Sequence, residues 1–279
     1  MLNPTTIDKP PKKRIPRPFL KWAGGKTQLL PELMQRLPHA SGQYLEPFLG
    51  GGALFFQLSP RKAIISDLNQ ELIDCYRVVR DQPDALINIL ETYKYDKDFY
   101  YAMRARNPMN LDPVARAART IYLNKTGYNG LYRVNGKGIF NVPFGRYVNP
   151  RICDAPNLLG CSAVLKQVEL ECRPFDAVIH HAKPGDFIYF DPPYIPRSNT
   201  AYFTAYEKHG FGMSNQEKLA EVFTELDRMG VYVMLSNACV PWIKKAYARF
   251  NIHRVKAARH VNRDASKRGA VSEVIITNY

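Results

Sequence analysis

Asp191-Pro192-Pro193-Tyr194 follows directly after the hydrophobic run of residues 187–190. A short apolar run is typical of a buried strand, and proline has no N–H with which to continue a sheet ladder. We therefore expect the strand to end at this tetrapeptide. Ligands of open α/β sheets bind at the carboxyl ends of the strands. The sequence thus predicts that a carboxylate, two rigid prolines and an aromatic ring lie at a ligand-binding edge.

The same four residues suit a planar ring that carries an exocyclic amine. A residue that precedes proline is pushed towards extended geometry, so a backbone carbonyl can point into the site beside the Asp191 carboxylate. Both groups accept hydrogen bonds from an amine, and Tyr194 offers a flat face for stacking. An isolated Asp-Pro-Pro-Tyr sequence also fits a surface turn, so the other motifs must decide between the two interpretations.

The charge of the chain favours a polyanionic partner. Its 39 lysines and arginines against 25 acidic residues give a formal net charge of +14. Such an excess is typical of nucleic-acid binding, with greater solubility as the alternative explanation. Basic residues cluster near both ends of the chain: Lys9, Lys12, Lys13, Arg14 and Arg17, then Arg254, Lys256, Arg259, Arg263, Lys267 and Arg268.

The cysteines and histidines indicate neither a disulfide framework nor a metal site. The 5 cysteines include no Cys-x-x-Cys pair, and the 6 histidines form no set with ligand spacing. No apolar run approaches the length of a membrane span, and residues 1–18 lack the apolar core of a secretory signal. We therefore expect a reduced cytosolic protein that uses no metal and no cysteine nucleophile.

Hydrophobic periodicity predicts an α/β protein with an insertion. The pattern indicates strands at residues 43–48, 63–67, 168–171, 187–190, 231–235 and 274–277, with helices at 53–58, 68–80 and 216–229. Within residues 81–164 helical periodicity dominates, Asp112 is placed to cap a helix at 113–124, and Asn135-Gly136 indicates a hairpin turn. The predicted fold is a Rossmann-like, doubly wound sheet interrupted by a mainly helical insertion that carries a β-hairpin.

A glycine loop, Gly50-Gly51-Gly52, separates the first predicted strand from its helix. Glycines permit a tight turn and close approach of a ligand, and Asp67 at the end of the next strand can accept hydrogen bonds from ribose hydroxyls. Neither the dinucleotide nor the P-loop glycine motif is present, so a nucleoside cofactor without phosphates, such as S-adenosylmethionine, fits better. A structural turn with a capping Asp67 is the alternative.

Three signatures occur in a fixed order along the chain: Phe-Leu-Lys-Trp-Ala-Gly-Gly-Lys at residues 19–26, Glu-Pro-Phe-Leu-Gly-Gly-Gly at 46–52, and Asp-Pro-Pro-Tyr at 191–194. The insertion adds Gly-Tyr-Asn-Gly-Leu-Tyr-Arg and Phe-Asn-Val-Pro-Phe-Gly-Arg-Tyr. In wording and order these segments resemble the Dam-type DNA adenine-N6 methyltransferases, which are α-group amino-methyltransferases. The likeness extends from about residue 18 to the C-terminus.

The resemblance implies a methyl-transfer site. It assigns the catalytic role to Asp191, Pro192, Pro193 and Tyr194, and implies direct displacement onto adenine N6 of a base flipped out of the duplex, without a metal. S-adenosylmethionine would be the cofactor and S-adenosylhomocysteine the product. The implied cofactor contacts are Trp22, Lys26, Phe48, Gly50, Asp67, Phe175 and Asp191. Trp22 taken alone reads more readily as a core residue.

The resemblance also implies a DNA-reading surface on double-stranded DNA. The matching positions are Lys21, Tyr128, Asn129, Leu131, Arg133, Pro143 and Arg146. Tyr128 would fill or wedge the gap that the flipped base leaves, Arg133 would read guanine, and Leu131 and Pro143 would contact a thymine methyl. The implied site is GATC. Residues 263–270 differ in detail from the family's basic C-terminal loop.

The expected domain organisation follows from the periodicity and the resemblance together. Residues 1–16 form a flexible basic arm, residues 17–80 and 165–279 form the catalytic, cofactor-binding domain, and residues 81–164 form the target-recognition insertion. We expect a monomer in the cytoplasm, of bacterial or phage type, associated with DNA and not with membranes. Two alternatives remain open: a methyltransferase acting on another planar amide or amine, in protein or RNA, and a catalytically silent DNA-binding protein.

Overall fold

The computed structural model describes residues 15–22, 24–195, 211–258 and 270–279. Two predictions lie outside the described residues. They are the flexible arm up to Arg14, with Lys9, Lys12 and Lys13, and the basic C-terminal segment with Arg259, Arg263, Lys267 and Arg268. Among the helices that the structure describes, none has the length and apolar character needed to cross a membrane.

A seven-stranded sheet forms the centre of the described part of the chain. The strands are β1 (Tyr44–Glu46), β2 (Ala63–Asp67), β3 (Val168–Cys172), β4 (Phe187–Phe190), β5 (Tyr232–Ala238), β6 (Asn251–Ala258) and β7 (Ala270–Thr277). Their order is β3-β2-β1-β4-β5-β7-β6. Strands β1 to β5 are parallel, and β7 pairs antiparallel with both β5 and β6. This topology confirms the predicted Rossmann-like, doubly wound fold.

The strand order reverses between β1 and β4, which are neighbours in the sheet. Crossover connections leave β1 in one direction and β4 in the other, and the crevice above such a switch point is where ligands bind in open α/β sheets. The glycine loop follows β1, and Asp191 follows β4. Strand order therefore brings these two predicted motifs together at one edge.

Helices cover the sheet on both sides. They are α1 (Leu30–Met34), α2 (Ala53–Leu58), α3 (Gln70–Asp81), α4 (Pro83–Thr92), α5 (Lys97–Ala105), α6 (Pro113–Thr126), α7 (Ala155–Leu165), α8 (Met213–Arg228) and α9 (Pro241–Ala246). The Asp112 side chain accepts a hydrogen bond from the Ala115 N–H at 3.0 Å, which confirms the predicted cap of α6. Asn69 caps α3 in the same way, through the Leu72 N–H at 3.1 Å.

Strand β4 is buried on both faces. Phe187 and Tyr189 belong to one hydrophobic cluster, with α3, α6 and α7, whereas Ile188 and Phe190 belong to another, with α8. Successive residues of a strand point to opposite faces, so the two clusters lie on opposite sides of the sheet. A fully buried strand explains why its sequence is continuously apolar and not alternating.

The edge strand β6 was not predicted. Its sequence, Asn-Ile-His-Arg-Val-Lys-Ala-Ala, mixes charged and apolar side chains. Among the strands that the structure describes, it pairs with β7 only. Charged residues are common on edge strands because they oppose further pairing, and here they hide the period-two pattern. The structure also ends β1 at Glu46, earlier than predicted, where Pro47 supplies no N–H to the ladder.

The predicted hairpin is present and is anchored on an aromatic cluster. The Asn135 N–H donates to the Ile139 carbonyl at 2.9 Å, and an isolated antiparallel bridge joins Val134 to Phe140. Phe140 packs in a cluster with Tyr100 and Tyr122 of α5 and α6. Other buried hydrophobic residues of α4, α6 and α7 pack in the same cluster as the sheet. The domain boundaries at residues 80 and 165 stay a prediction.

Candidate active site

A connected cleft of about 2110 Å³ opens at the carboxyl edge of the parallel strands. Its lining combines the glycine loop, the segment around Trp22, the Asp191 tetrapeptide and the root of the hairpin at Leu131. Pockets for one drug-sized molecule measure roughly 300–1,000 Å³. The cleft therefore has room for a cofactor and a second planar ligand together.

Asp191 is held in place by one cation and one hydroxyl. The Lys26 Nζ lies 2.7 Å from Asp191 Oδ1, and the Ser236 hydroxyl donates to the same oxygen at 3.0 Å. Ser236 Oγ in turn lies 2.9 Å from the Tyr189 hydroxyl. Burial raises the pKa of Asp191, while Lys26 and, to a smaller extent, Ser236 lower it. Among the described residues, all polar contacts of Asp191 are made by Oδ1, which leaves Oδ2 for a ligand.

Lys26 connects the Asp191 carboxylate, which is predicted to be catalytic, to the predicted stacking ring. Its ammonium group lies 4.5 Å from the centroid of the Tyr194 ring and donates to the Gly24 carbonyl at 2.5 Å. A cation over an aromatic face is a favourable electrostatic contact. The structure thus places Lys26 against Asp191 and Tyr194, while its predicted contact with the cofactor stays a prediction.

Side chains from β7 and α8 brace the tetrapeptide. The Tyr194 hydroxyl donates to Glu273 Oε2 at 3.1 Å, and Gln216 Nε2 donates to the Pro193 carbonyl at 2.9 Å. Gln216 is fully buried and accepts from Asn237 Nδ2 at 3.2 Å. These braces orient the ring and the turn of the tetrapeptide.

The Pro192 carbonyl is the second acceptor that the sequence predicts for an amine. No described residue donates a hydrogen bond to it, in contrast to the neighbouring Pro193 carbonyl, which Gln216 occupies. Pro192 lines the cleft. The Asp191 carboxylate and this carbonyl therefore remain as two acceptors on one short turn, as an amine with two hydrogens requires.

Tyr194 provides a test that separates its ring from its hydroxyl. We expect Tyr194→Ala to reduce the methyl transfer that the resemblance implies, through the loss of stacking worth about 1–3 kcal/mol. Tyr194→Phe should keep most of the activity, because it loses only the bond to Glu273. The measurement is kcat and KM for both variants on a duplex substrate. Equal damage by Phe and Ala would show that the hydroxyl, and not the ring face, is the important group.

Three predicted cofactor residues form one continuous wall. The Gly50 N–H donates to Asp67 Oδ2 at 3.0 Å, and Asp67 Oδ1 accepts from the Asn69 N–H at 2.9 Å. Gly50 has a φ of +48°, and a Cβ there would lie 2.8 Å from Cδ1 of Trp22. Only glycine satisfies both constraints. Trp22 is half-buried, packs against the main hydrophobic cluster and also lines the cleft, so its role at the cofactor stays a prediction.

A second part of the wall is aromatic. The rings of Phe48 and Phe175 are stacked, with centroids 5.3 Å apart and an interplanar angle of 22°, and both line the cleft. Aromatic faces beside Asp67 suit a purine nucleoside. All the residues that the sequence predicts for the cofactor therefore line one cleft, and their individual contacts stay predictions.

Glu46 is a cleft residue that the sequence analysis missed. It ends β1, is 2% exposed, and accepts a hydrogen bond from the Tyr44 hydroxyl at 2.7 Å. Burial raises the pKa of Glu46 to about 8. A bound cationic group would favour its ionised form, so the wall also fits a ligand that carries an ammonium group. The signal in the sequence was the acid directly before Pro47 and the glycine loop.

The predicted DNA-reading residues lie on the surface beside the cleft. Lys21, Asn129 and Arg146 are exposed, and Tyr128 is 50% exposed although it is a large aromatic residue. The Tyr128 N–H donates to the Pro143 carbonyl at 2.9 Å. This bond joins the two predicted DNA-contacting segments of the insertion into one surface.

Arg133 is exposed and held by its hairpin neighbour. Its Nε donates to Asn141 Oδ1 at 2.7 Å, and one terminal nitrogen donates to the Asn141 carbonyl at 3.2 Å. The bonds fix one side of the guanidinium group and leave its other donors for a ligand. Leu131, two residues earlier, is half-buried and lines the cleft.

Within the part of the chain that the structure describes, no three His, Cys, Asp or Glu side chains are grouped to hold a metal ion.

Comparison with known proteins agrees with this geometry. Residues 22–261 match the family of D12 class N6 adenine-specific DNA methyltransferases. The chain is 44% identical over 271 residues to the Type II methyltransferase M1.LlaDCHI of Lactococcus lactis subsp. cremoris, covering 94% of this chain and 95% of that protein. It is 34% identical over 264 residues to the DNA adenine methylase of Escherichia coli strain K12, covering 93% and 94%.

A further relative is the Type II methyltransferase M.MjaIII of Methanocaldococcus jannaschii, at 43% identity over an alignment of 286 residues that covers 94% of this chain and 99% of that protein. These matches confirm the resemblance and decide against both alternatives, a methyltransferase for protein or RNA and a catalytically silent DNA-binding protein. The chain belongs to the D12 class of N6 adenine-specific DNA methyltransferases.

Proposed function

We propose that this enzyme transfers a methyl group from S-adenosylmethionine to adenine N6 within GATC in double-stranded DNA and releases S-adenosylhomocysteine. The observation that carries the proposal is the Asp191 carboxylate, bound by Lys26 and Ser236 through one oxygen only, beside Tyr194 in the cleft that also contains the glycine loop. The enzyme would act as a monomer on DNA in the cytoplasm.

The cleft supports base flipping as the mode of access. Asp191 and Tyr194 line a concave site that an adenine stacked in a duplex cannot enter, and enzymes acting on a buried base generally extrude it. Tyr128 is exposed near the hairpin and would fill the gap in the duplex. The flipped adenine would stack on Tyr194.

The chain's own residues position the amine. Adenine N6 is a poor nucleophile because its lone pair is delocalised into the ring. The Asp191 Oδ2 and the Pro192 carbonyl would each accept a hydrogen bond from one N6–H group. These two bonds favour a tetrahedral nitrogen with its lone pair directed along the reaction axis. Lys26 lowers the pKa of Asp191 against the effect of burial and so favours the ionised form for this task. S-adenosylmethionine would be held by the wall around Gly50 and Asp67 and would supply the electrophilic methyl group.

The insertion, residues 81–164, would recognise the target sequence. Residues 17–80 and 165–279 would form the catalytic domain. Residues 1–16 would form a basic arm that contacts DNA phosphates. Arg133 would read guanine O6 and N7 with the donors that Asn141 leaves available, and Leu131 and Pro143 would contact a thymine methyl. Lys21, Asn129 and Arg146 would complete the contact surface. The relative named DNA adenine methylase supports DNA adenine as the target of the enzyme.

The direct test is methylation of plasmid DNA by the purified enzyme, followed by mapping of modified adenines. Methylation confined to GATC would support the whole proposal. Methylation of adenines in another sequence would contradict the GATC assignment and leave adenine-N6 transfer intact. A failure of S-adenosylhomocysteine to bind the protein would contradict the cofactor assignment.

Arg133 allows a sharper test of sequence reading. We expect Arg133→Ala to lose about 1–3 kcal/mol of discrimination at one base pair of the site, because a bidentate guanine contact contributes that much. The measurement compares kcat/KM on GATC with kcat/KM on its single-base variants. Lys137→Ala is the matched control, since Lys137 is an exposed cation on the same hairpin and should affect all sequences alike. An unchanged preference in Arg133→Ala would show that Arg133 contacts phosphate only.

A further inference from the structure

Tyr132 joins the DNA-reading hairpin to the cofactor wall. Its ring stacks on the Trp22 indole, with centroids 5.0 Å apart and an interplanar angle of 25°. Its hydroxyl donates to Glu71 Oε2 at 2.7 Å. We propose that Tyr132 is a positioning residue through which target recognition and cofactor binding strengthen each other. This inference rests on the proposed function, because it requires both DNA and the cofactor to bind where we place them.

The contact reaches the cofactor loop through one further residue. Trp22 lies so close to Gly50 that a Cβ at position 50 would be 2.8 Å from the indole. The Gly50 N–H is itself bonded to Asp67. A shift of the Trp22 ring therefore changes the wall on which the glycine loop and Asp67 depend, and Tyr132 is the hairpin residue that holds this ring.

The opposite end of the contact is the DNA-reading segment. Tyr132 stands between Leu131 and Arg133, the two residues that we assign to base contacts, so its backbone must follow any movement of theirs. The ring of Tyr132 faces the cofactor wall, and its two neighbours in the chain are assigned to the DNA. Tyr132 can therefore transmit a displacement of the DNA-reading segment directly to Trp22. No long chain of intermediates is needed to connect the two sites.

A buried asparagine fastens the same two segments. Asn124 of α6 is 2% exposed. Its Oδ1 accepts from the Lys21 N–H at 2.8 Å, and its Nδ2 donates to the Lys21 carbonyl at 2.7 Å and to the Gly130 carbonyl at 3.0 Å. Each polar atom of the amide is thus bonded, and such satisfied networks are rigid. The segment before Trp22 and the segment before Leu131 therefore move together.

Glu71 fixes the far end of the Tyr132 side chain. It lies in the first turn of α3, shortly after Asp67. Its Oε1 accepts from the Thr120 hydroxyl at 2.6 Å and lies 3.8 Å from a nitrogen of Arg119. Glu71 of α3, itself held by α6, binds the Tyr132 hydroxyl. The ring of Tyr132 is therefore largely restricted to the position in which it stacks on Trp22.

Coupling between two ligands is reciprocal, so it can be measured from the cofactor side. The experiment is calorimetric titration of S-adenosylhomocysteine into wild type, Tyr132→Phe and Tyr132→Leu, with and without a saturating GATC duplex. We expect the duplex to tighten binding by about 5-fold or more in wild type. Tyr132→Phe should keep most of this factor, because it keeps the stacking ring and loses only the bond to Glu71, and Tyr132→Leu should lose most of it.

A purely structural role for Tyr132 would lower the melting temperature but leave the tightening factor unchanged, and that outcome would overturn the inference. Absence of tightening in wild type would overturn it as well. If wild type neither binds S-adenosylhomocysteine nor methylates GATC, the proposed function fails together with the inference. If wild type does both and Tyr132→Leu retains the wild-type factor, only the inference fails.

A second measurement does not depend on the folding of Tyr132→Leu. The chain has 2 tryptophans, and Trp242 of α9 packs in the cluster on the α8 side of the sheet. In a Trp242→Phe protein, fluorescence excited at wavelengths that tyrosine does not absorb therefore reports Trp22 alone. We expect the emission to change on addition of the GATC duplex without cofactor, and to change less with a duplex that differs in one base. Identical responses to both duplexes would contradict the coupling.

Discussion

Replacement of Asp191 by alanine is expected to reduce the rate of methyl transfer by about 10³-fold, the upper range for the loss of one preorganised electrostatic contact to a reacting group. The variant loses the carboxylate that accepts the N6 hydrogen, and it leaves the buried Lys26 ammonium without its counter-ion. DNA affinity should persist, because the exposed basic residues and the hairpin are not altered. The measurements are single-turnover methylation at saturating cofactor and duplex binding by titration.

Asp191→Asn is the matched control for this prediction. The amide keeps the shape and one acceptor oxygen but removes the negative charge, so its activity should lie between those of wild type and Asp191→Ala. Near-normal turnover by Asp191→Ala with both ligands saturating would contradict the mechanism. Loss of DNA binding in the same variant would instead show that the site and the hairpin are one structural unit.

Replacement of Lys26 by methionine should produce the second large effect, a loss of activity that depends on pH. Breaking a buried ion pair on one side costs about 3–5 kcal/mol. The pKa of the Asp191 carboxyl is raised by burial and lowered by Lys26, so removal of Lys26 raises this pKa further. A smaller fraction of Asp191 is then ionised at a given pH. The acidic limb of the kcat/KM profile should therefore move to higher pH, and activity should recover in part as the pH rises.

Two variants control the Lys26 experiment. Ser236→Ala removes the other donor to Asp191 Oδ1 and should shift the acidic limb in the same direction but less, since Ser236 lowers the pKa of Asp191 less than Lys26 does. Lys26→Arg keeps the charge and should keep the profile near its wild-type position. A uniform loss at every pH in Lys26→Met, together with a raised KM for the cofactor, would show that Lys26 acts by contacting the cofactor.

Local features of the sequence were sufficient to predict the main architecture and the position of the turn at Asp191. The apolar run before Asp191 and the prolines after it determine a strand end, because burial and the missing N–H act within a few residues. The positions of the glycine loop and of Asp67 could also be predicted locally, because each directly follows or ends a short strand pattern. The edge strand β6 was not predicted, because it lies at the edge of the sheet with charged side chains among its apolar ones. Its sequence therefore shows no clear period-two alternation of polar and apolar residues.

The interactions that make the site work were decided only by tertiary structure. The ion pair between Lys26 and Asp191 and the ring stack between Tyr132 and Trp22 join segments that are far apart in the chain. Strand order and the packing of α6 bring these segments together. The raised pKa of Glu46 depends on burial by the whole fold. Periodicity and motif spacing report constraints between near neighbours, whereas these contacts depend on how whole elements pack, and no local pattern in the sequence encodes that.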